Sequence, residues 1–389
     1  MTAFIYDAVR SPRGKARPDG GLATVPPHEL VRQLFVALNE RTEGGAGRAE
    51  ELVLGCVGQV GSQGGNIALV SKLYADLPDA VRAWTLNNYC VSGLTAIGQA
   101  AASISSGRSA LALAGGVEMM SRVGFMADKA DYYVDNSFSP RTRYVPVAVA
   151  ADRLAANEKV DRASLDRVAL ASQSKAVAAE ENAALGMSRI PIHDPTGAIL
   201  LDRDECVRAT TVERLAGLQP AFGELVTSYR AALGGDKIEP LHTVAHAPPM
   251  CDAAALALIG TENAVNRKPR ARIVSYADAA GDPAASLTAG FGAMERTLDR
   301  AGLKLSDMDR IEFMESFGVT IVKFLRDYDV DPERVNVGGG HIARGHPLGA
   351  SGAILVSSVL DALDEVQGKY GLVVGTGASG VGAAIILER

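Results

Sequence analysis

One succession occurs twice in this chain of 389 residues: a Ser-Gly turn, an Ala-rich helical stretch, a short apolar run and a glycine-rich exit. The first copy opens at Ser92-Gly93, continues as a helical pattern to residue 106, and ends in the apolar run 110–114 with Gly115-Gly116. The second opens at Ser351-Gly352, passes through residues 353–366 and the apolar run 372–374, and leaves through glycines. Helical spacing followed by short apolar runs bounded by Gly is the pattern of helices alternating with buried strands. A chain that repeats this pattern is expected to build α/β layers with parallel strands, from two similar halves packed together. The strand-like runs 4–9 and 51–57 and the helix-like run 28–38 belong to the same plan. Residues 122–246 interrupt it with charged helical segments over 163–184, several prolines and an aromatic, partly basic loop at 132–144. We therefore expect an N-terminal half, 1–266, that includes an inserted loop domain at about 122–246, and a C-terminal half, 267–389.

Charge and cysteine usage narrow the function classes. A formal net charge of −6 leaves no basic excess to neutralise phosphates, so nucleic acid is not an expected partner. Four cysteines (Cys56, Cys90, Cys206, Cys251) form no C-x-x-C pair and no metal-ligand spacing, which argues against a disulfide framework and a bound metal. The opening residues read as a strand and not as a signal peptide, and no run of about 18 apolar residues is free of charge. The expectation is a cytoplasmic protein of enzyme size, away from membranes.

Two segments carry candidate chemistry. In Asn87-Asn88-Tyr89-Cys90-Val91-Ser92-Gly93, a cysteine sits in a turn just before a helix, where backbone N–H groups and the positive helix end favour the thiolate. Such a cysteine is either a nucleophile or a small buried hydrophobe, and the turn alone does not choose. In Asn336-Val337-Gly338-Gly339-Gly340-His341-Ile342-Ala343-Arg344-Gly345-His346-Pro347-Leu348-Gly349, the glycines and proline impose an irregular backbone around His346. An imidazole held there can serve Cys90 as general base, or can simply be a histidine in a turn; the same holds for His341 and Arg344.

Taken together these motifs resemble the thiolase superfamily, of the acetyl-CoA acetyltransferase and 3-ketoacyl-CoA thiolase kind. Asn-x-x-Cys-x-Ser-Gly is followed by Gly115-Gly116-Val117-Glu118-Met119-Met120-Ser121, and Gly-His-Pro-x-Gly-Ala-Ser-Gly ends the histidine loop. The opening Asp7-Ala8-Val9-Arg10-Ser11-Pro12-Arg13-Gly14 and the closing residues 371–389 fit as well, so the resemblance spans the chain. It implies a five-layered α-β-α-β-α core from two duplicated halves, a homodimer or homotetramer, coenzyme A thioesters as substrates and no permanently bound cofactor. It also implies that Cys90 takes the acyl group, that His346 activates it, and that the N–H groups of Cys90 and Ala378 hold the thioester oxygen.

Four positions depart from the family pattern. Thr376 stands where the family has a second cysteine, which moves the proton at the acyl α-carbon. Met314, in Met314-Glu315-Ser316-Phe317, stands at the family's Asn or His. In the segments implied to touch coenzyme A, Pro248 replaces a serine and Gln219 an arginine; Arg141, Arg143, Arg208 and Arg214 are candidates for the missing positive charge. These departures leave three readings. One is a thiolase-like acyltransferase with impaired or altered condensation and thiolysis. The second is an acyl-thioester hydrolase or acyltransferase without enolate chemistry. The third is a non-catalytic subunit that binds acyl-CoA or a partner.

Overall fold

The computed structural model describes residues 2–389. Strand β1 (Phe4–Arg10) and the two-residue β2 (Gly14–Lys15) lead into helix α1 (Pro27–Arg41). Then come β3 (Glu51–Gly55), α2 (Ile67–Tyr74), β4 (Arg82–Leu86), α3 (Ser92–Ser105) and β5 (Leu111–Met119). Residues 122–246 carry α4 (Val147–Asn157), α5 (Arg162–Ala179), the short pair β6 (Ile192–His193) and β7 (Ile199–Leu201), and the short helices α6 (Val212–Ala216) and α7 (Gly223–Ser228). The remainder runs β8 (Cys251–Gly260), β9 (Ala271–Ala280), α8 (Ala289–Ala301), β10 (Arg310–Phe313), α9 (Gly318–Asp327), α10 (His341–Arg344), α11 (Ser351–Val366), β11 (Tyr370–Gly377) and β12 (Val381–Glu388).

Apart from the separate β6–β7 pair, the strands form one continuous sheet in the order β10-β11-β12-β9-β1-β8-β5-β3-β4, with β2 added beside β8. Its two flanks are joined at the centre by only two residue pairs, Phe4 with Arg272 and Ile5 with Ala271. Read outward from that join, each flank repeats the other. One runs β1, β8, β5, β3, β4 and the other β9, β12, β11, β10, with a single parallel bridge from Ile311 to Val335 where a fifth strand would stand. The expectation of parallel strands holds only for the outer pairs, β3 with β4 and β5, and β10 with β11. The inner pairs β5–β8, β1–β8, β11–β12 and β9–β12 are antiparallel. For β11 and β12 the reason is length: the three residues between them can close a hairpin but cannot cross over the sheet.

Side-chain periodicity turns the sheet into five layers. Leu94, Ile97, Ala100, Ala101 and Ile104 recur at three- and four-residue spacing on α3, and Ile354, Leu355, Val359 and Leu360 do so on α11. Both stripes are buried between the inner faces of the two flanks, against Ala112 and Ala114 on one side and Ala383, Ile385 and Leu387 on the other. The opposite face of the first flank packs on α1 through Leu30, Leu34 and Leu38, and that of the second packs on α8 and α9 through Met294, Ile321 and Phe324. The layers are therefore helix, sheet, helix pair, sheet, helix. The central pair meets at its N-terminal ends, where a Cβ on Gly93 would lie 2.7 Å from the Gly349 carbonyl oxygen and one on Gly352 2.5 Å from the Leu94 nitrogen. Only glycine permits that approach, because the obstacle is backbone and cannot move aside.

Candidate active site

Cys90 and His346 both stand just ahead of the two central helices. The cysteine turn is fixed from within. Ser92 Oγ accepts the Asn88 N–H at 2.8 Å and donates to the Tyr89 carbonyl at 2.6 Å, while Tyr89 takes a left-handed φ of 47°. Cys90 is 6% exposed, and the N–H groups of Ala378 and of Cys90 itself face its sulfur. The expectation that this turn lowers the thiol's pKa needs correction. Those N–H groups do favour the thiolate, but burial outweighs them and pushes the thiol up to about 12.

The histidine loop is clamped by three buried carboxylates, each tied to a different neighbour. Glu118 accepts the N–H groups of Val57 (2.9 Å), Gly58 (3.0 Å) and Gly349 (2.9 Å) and the Gln63 amide (2.7 Å). Glu315 accepts from Ser172 (2.7 Å), Asn336 (3.0 Å) and the Ile342 N–H (2.9 Å). Asp204 pairs with Arg10 (2.8 Å) and Arg344 (2.5 Å) and accepts the Arg13 N–H, while the Arg13 guanidinium donates to the Gly345 carbonyl at 3.0 Å. Burial raises the Asp204 pKa, but the three arginines around it dominate and hold it well below the usual carboxylate range.

Held in this way, His346 donates its backbone N–H to the Pro249 carbonyl at 2.8 Å and pairs its ring Nδ1 with Ser351 Oγ at 2.8 Å. With the ring proton on Nδ1 donated to that hydroxyl, Nε2 keeps a lone pair, and it has no hydrogen-bond partner among the described residues. Burial, helped by the Arg13 charge, lowers the ring to about 3, so it rests neutral and fit to accept a proton. His341 stands edge-on to it with ring centroids 4.9 Å apart, fully buried, with neither ring nitrogen hydrogen-bonded among the described residues.

A cavity of about 50 Å³ joins these parts, room for about four water molecules. Cys90, His346, Ala378 and Pro248 all line it, beside Ser316 and a wall that includes Tyr89, Phe125, Tyr133 and Tyr144. Thr376, Met314 and Gln219 are not among its lining residues. Thr376 lies one residue out of phase on β11. Its neighbours Gly375 and Gly377 approach Val91 and Cys90, whereas Thr376 follows Leu372 and Val374 toward α8, fully buried, with its hydroxyl unpartnered among the described residues. Met314 is buried in the central core with Val91 and Leu94. Gln219 is exposed. Of the four arginines considered for the missing charge, Arg141 pairs with Asp282 at 3.4 Å and Arg143 donates to the carbonyls of Asn136, Phe138 and Ala231. Arg208 donates to Cys206 and Arg214 is exposed. The sequence reading missed Glu118, Glu315 and Ser351 as supports of the histidine and the aromatics as cavity wall. The cluster of aromatics at 132–144 was the visible signal for the wall.

Comparison with known proteins now decides the family. The thiolase N-terminal domain model matches residues 3–232 and the thiolase C-terminal domain model matches residues 267–389. This chain belongs to the thiolase family. It is 35% identical to the beta-ketoadipyl-CoA thiolase of Pseudomonas aeruginosa, covering 99% of this chain and 98% of that one. It is 32% identical to a steroid 3-ketoacyl-CoA thiolase of Mycobacterium tuberculosis (100% and 94% covered) and to the acetyl-CoA acetyltransferase of Paracoccus denitrificans (100% and 99%). This thiolase is thus an acyl-CoA acyltransferase, with coenzyme A thioesters as substrates and the layered fold described above. Among the described residues, no helix is long and apolar enough to cross a membrane.

Proposed function

We propose that this thiolase acylates itself at Cys90 from a coenzyme A thioester, with His346 as the base and the N–H groups of Cys90 and Ala378 as the oxyanion hole. The observation that carries the reading is the meeting, in one cavity, of a cysteine sulfur facing two backbone donors and an imidazole with an unpartnered Nε2. In the step proposed, His346 Nε2 takes the Cys90 proton as sulfur attacks the thioester carbon. The carbonyl oxygen becomes an oxyanion at the two N–H groups, then re-forms the carbonyl and expels the coenzyme A thiolate, which recovers the proton. The second half-reaction, bond formation at an acyl α-carbon, needs a base and an enolate donor. Thr376, turned toward α8, and Met314, buried in the central core, do not line the cavity, and neither a threonine hydroxyl nor a thioether could supply that base or donor.

We therefore propose an acyltransferase in which condensation and thiolysis are slow relative to acylation of Cys90. Losing a general base typically costs about 10²–10⁴-fold and losing an oxyanion donor about 10²–10³-fold, not additively. The test is intact mass after mixing with acetyl-CoA, followed by acetoacetyl-CoA formation and thiolysis assays. A Cys90-dependent 42 Da adduct (roughly one acetyl group by mass) with little carbon–carbon chemistry is the expected result. Vigorous thiolysis by the unmodified chain overturns the second part, and absence of any adduct overturns the first. We also propose a cytoplasmic homodimer or homotetramer: the four cysteines are unpaired, and β4, at the end of the sheet, leaves one edge for a second copy to continue.

A further inference from the structure

We infer that the acyl group this site accepts is uncharged and apolar, so that acyl chains ending in a second carboxylate are excluded. The inference rests on acylation of Cys90 as proposed above and adds the substrate class. No Lys or Arg is among the residues lining the cavity. Among its lining residues the one basic side chain, His346, is held neutral by burial. The two ionisable carboxyls on the lining, Glu118 and Asp128, are of the wrong sign for an acyl carboxylate, and each already has donors. Glu118 is engaged by Val57, Gly58, Gln63 and Gly349, and Asp128 accepts the Tyr133 hydroxyl at 2.9 Å.

The arginines nearest in sequence to this wall are turned to other partners. Arg122 donates to the Thr24 carbonyl, Arg141 pairs with Asp282, and Arg143 is committed to three carbonyls of its own loop and of residue 231. What the cavity offers in place of charge is ring surface. The lining rings Tyr133 and Tyr144 have centroids 4.8 Å apart, and Tyr144 is braced edge-on by Tyr132 at 5.9 Å and Tyr229 at 6.2 Å. Such an array, fixed before any ligand arrives, gains contact with a hydrocarbon chain and loses water from a carboxylate without replacing it. This would set the chain apart from the beta-ketoadipyl-CoA thiolase of Pseudomonas aeruginosa, since a ketoadipyl chain ends in a second carboxylate.

The test compares acetyl-CoA, butanoyl-CoA and succinyl-CoA as acyl donors to the full-length protein, reading the rate of Cys90 adduct formation by intact mass. Acetyl and butanoyl adducts should form at least about 100-fold faster than the succinyl adduct, the penalty of an ionised group moved from water to an unpaired site. Phe125→Arg places a cation on this wall at a residue that is 41% exposed, so the substitution does not empty the core. It should raise the succinyl-to-acetyl rate ratio about tenfold. Succinyl labelling as fast as acetyl labelling overturns the inference while leaving the acylation reading intact. An unchanged ratio in Phe125→Arg also overturns it, because charge on this wall would then not set selectivity. No adduct from any of the three donors overturns the acylation reading and the inference with it.

Discussion

Measuring the alkylation of Cys90 against pH asks whether its nucleophile is ionised before substrate arrives. Burial places the Cys90 thiol at about 12 and the His346 ring at about 3. Moving the proton from one to the other therefore costs on the order of 12 kcal/mol before the resulting charges attract. Even a pair as close as about 4 Å, at an effective dielectric near 20, would gain only about 4 kcal/mol from that attraction. The neutral pair wins by a wide margin, and the resting site holds a thiol beside a neutral imidazole. At pH 7 the thiolate fraction is then about 10⁻⁵, and limiting iodoacetamide should react with Cys90 at a rate rising about tenfold per pH unit from 7 to 10, with no plateau. Peptide mass mapping at each pH assigns the label. Cys90 should still react before Cys56, Cys206 and Cys251, since it alone of the four lines the cavity. His346→Gln should leave the alkylation profile nearly unchanged and abolish acylation by acetyl-CoA, because the histidine acts only when a thioester is present to receive the sulfur. A plateau between pH 6 and 8 that disappears in His346→Gln would refute the reasoning, since only a preformed ion pair produces it.

Gly352→Ala should cost about 3 kcal/mol or more and lower the melting temperature by several degrees, because its Cβ would sit 2.5 Å from the Leu94 nitrogen; acylation should fall with it. Glu118→Ala leaves the N–H groups of Val57, Gly58 and Gly349 without their acceptor and should destabilise the fold by about 3–5 kcal/mol in denaturant titration. Thr376→Val removes a buried hydroxyl that has no partner and should be neutral or stabilising by about 1 kcal/mol, with Cys90 acylation retained. His341 is kept neutral by burial, with the ring's pKa well below its ordinary value. Between that value and about pH 6.5 the unfolded chain binds a proton that the folded chain does not, so stability falls as pH falls. His341→Leu should flatten that acid-side slope by up to about 1.4 kcal/mol per pH unit, read from urea midpoints at a series of pH values.

Much of this architecture was legible because local pattern and tertiary role agree. The stripes on α3 and α11, and the Ser-Gly turns that open them, are readable as a repeat for the same reason that they pack on each other. Residues 251–260 were not read as a strand, since Cys-Asp-Ala-Ala-Ala-Leu-Ala-Leu-Ile-Gly has no alternation to show, and its alanines favour helix. It becomes β8 because both of its faces are covered, a condition set by the rest of the fold. In the site, Cys90 and His346 stood out through their irregular, glycine-bearing surroundings. The ionisation of Cys90 did not, because a helix start is local information whereas the burial that outweighs it is not. The phase of Thr376 was hidden for a related reason. Which face a strand residue takes depends on register, and β11 spends its opposite face on the close approach of Gly375 and Gly377 to Val91 and Cys90.

The pairing of α3 with α11 has a consequence for how the activity is inherited by fragments of the chain. Cys90 comes from the first copy of the repeated plan and His346 from the second, and the two copies share only two backbone residue pairs across the sheet. Residues 262, 263 and 266, between β8 and β9, are exposed. Cutting the chain there divides the proposed reacting pair between two pieces, one holding the proposed acyl acceptor and the other its proposed base. Recovered acylation on mixing the pieces would therefore count reassembled molecules directly, making the chemistry a logical conjunction of two halves.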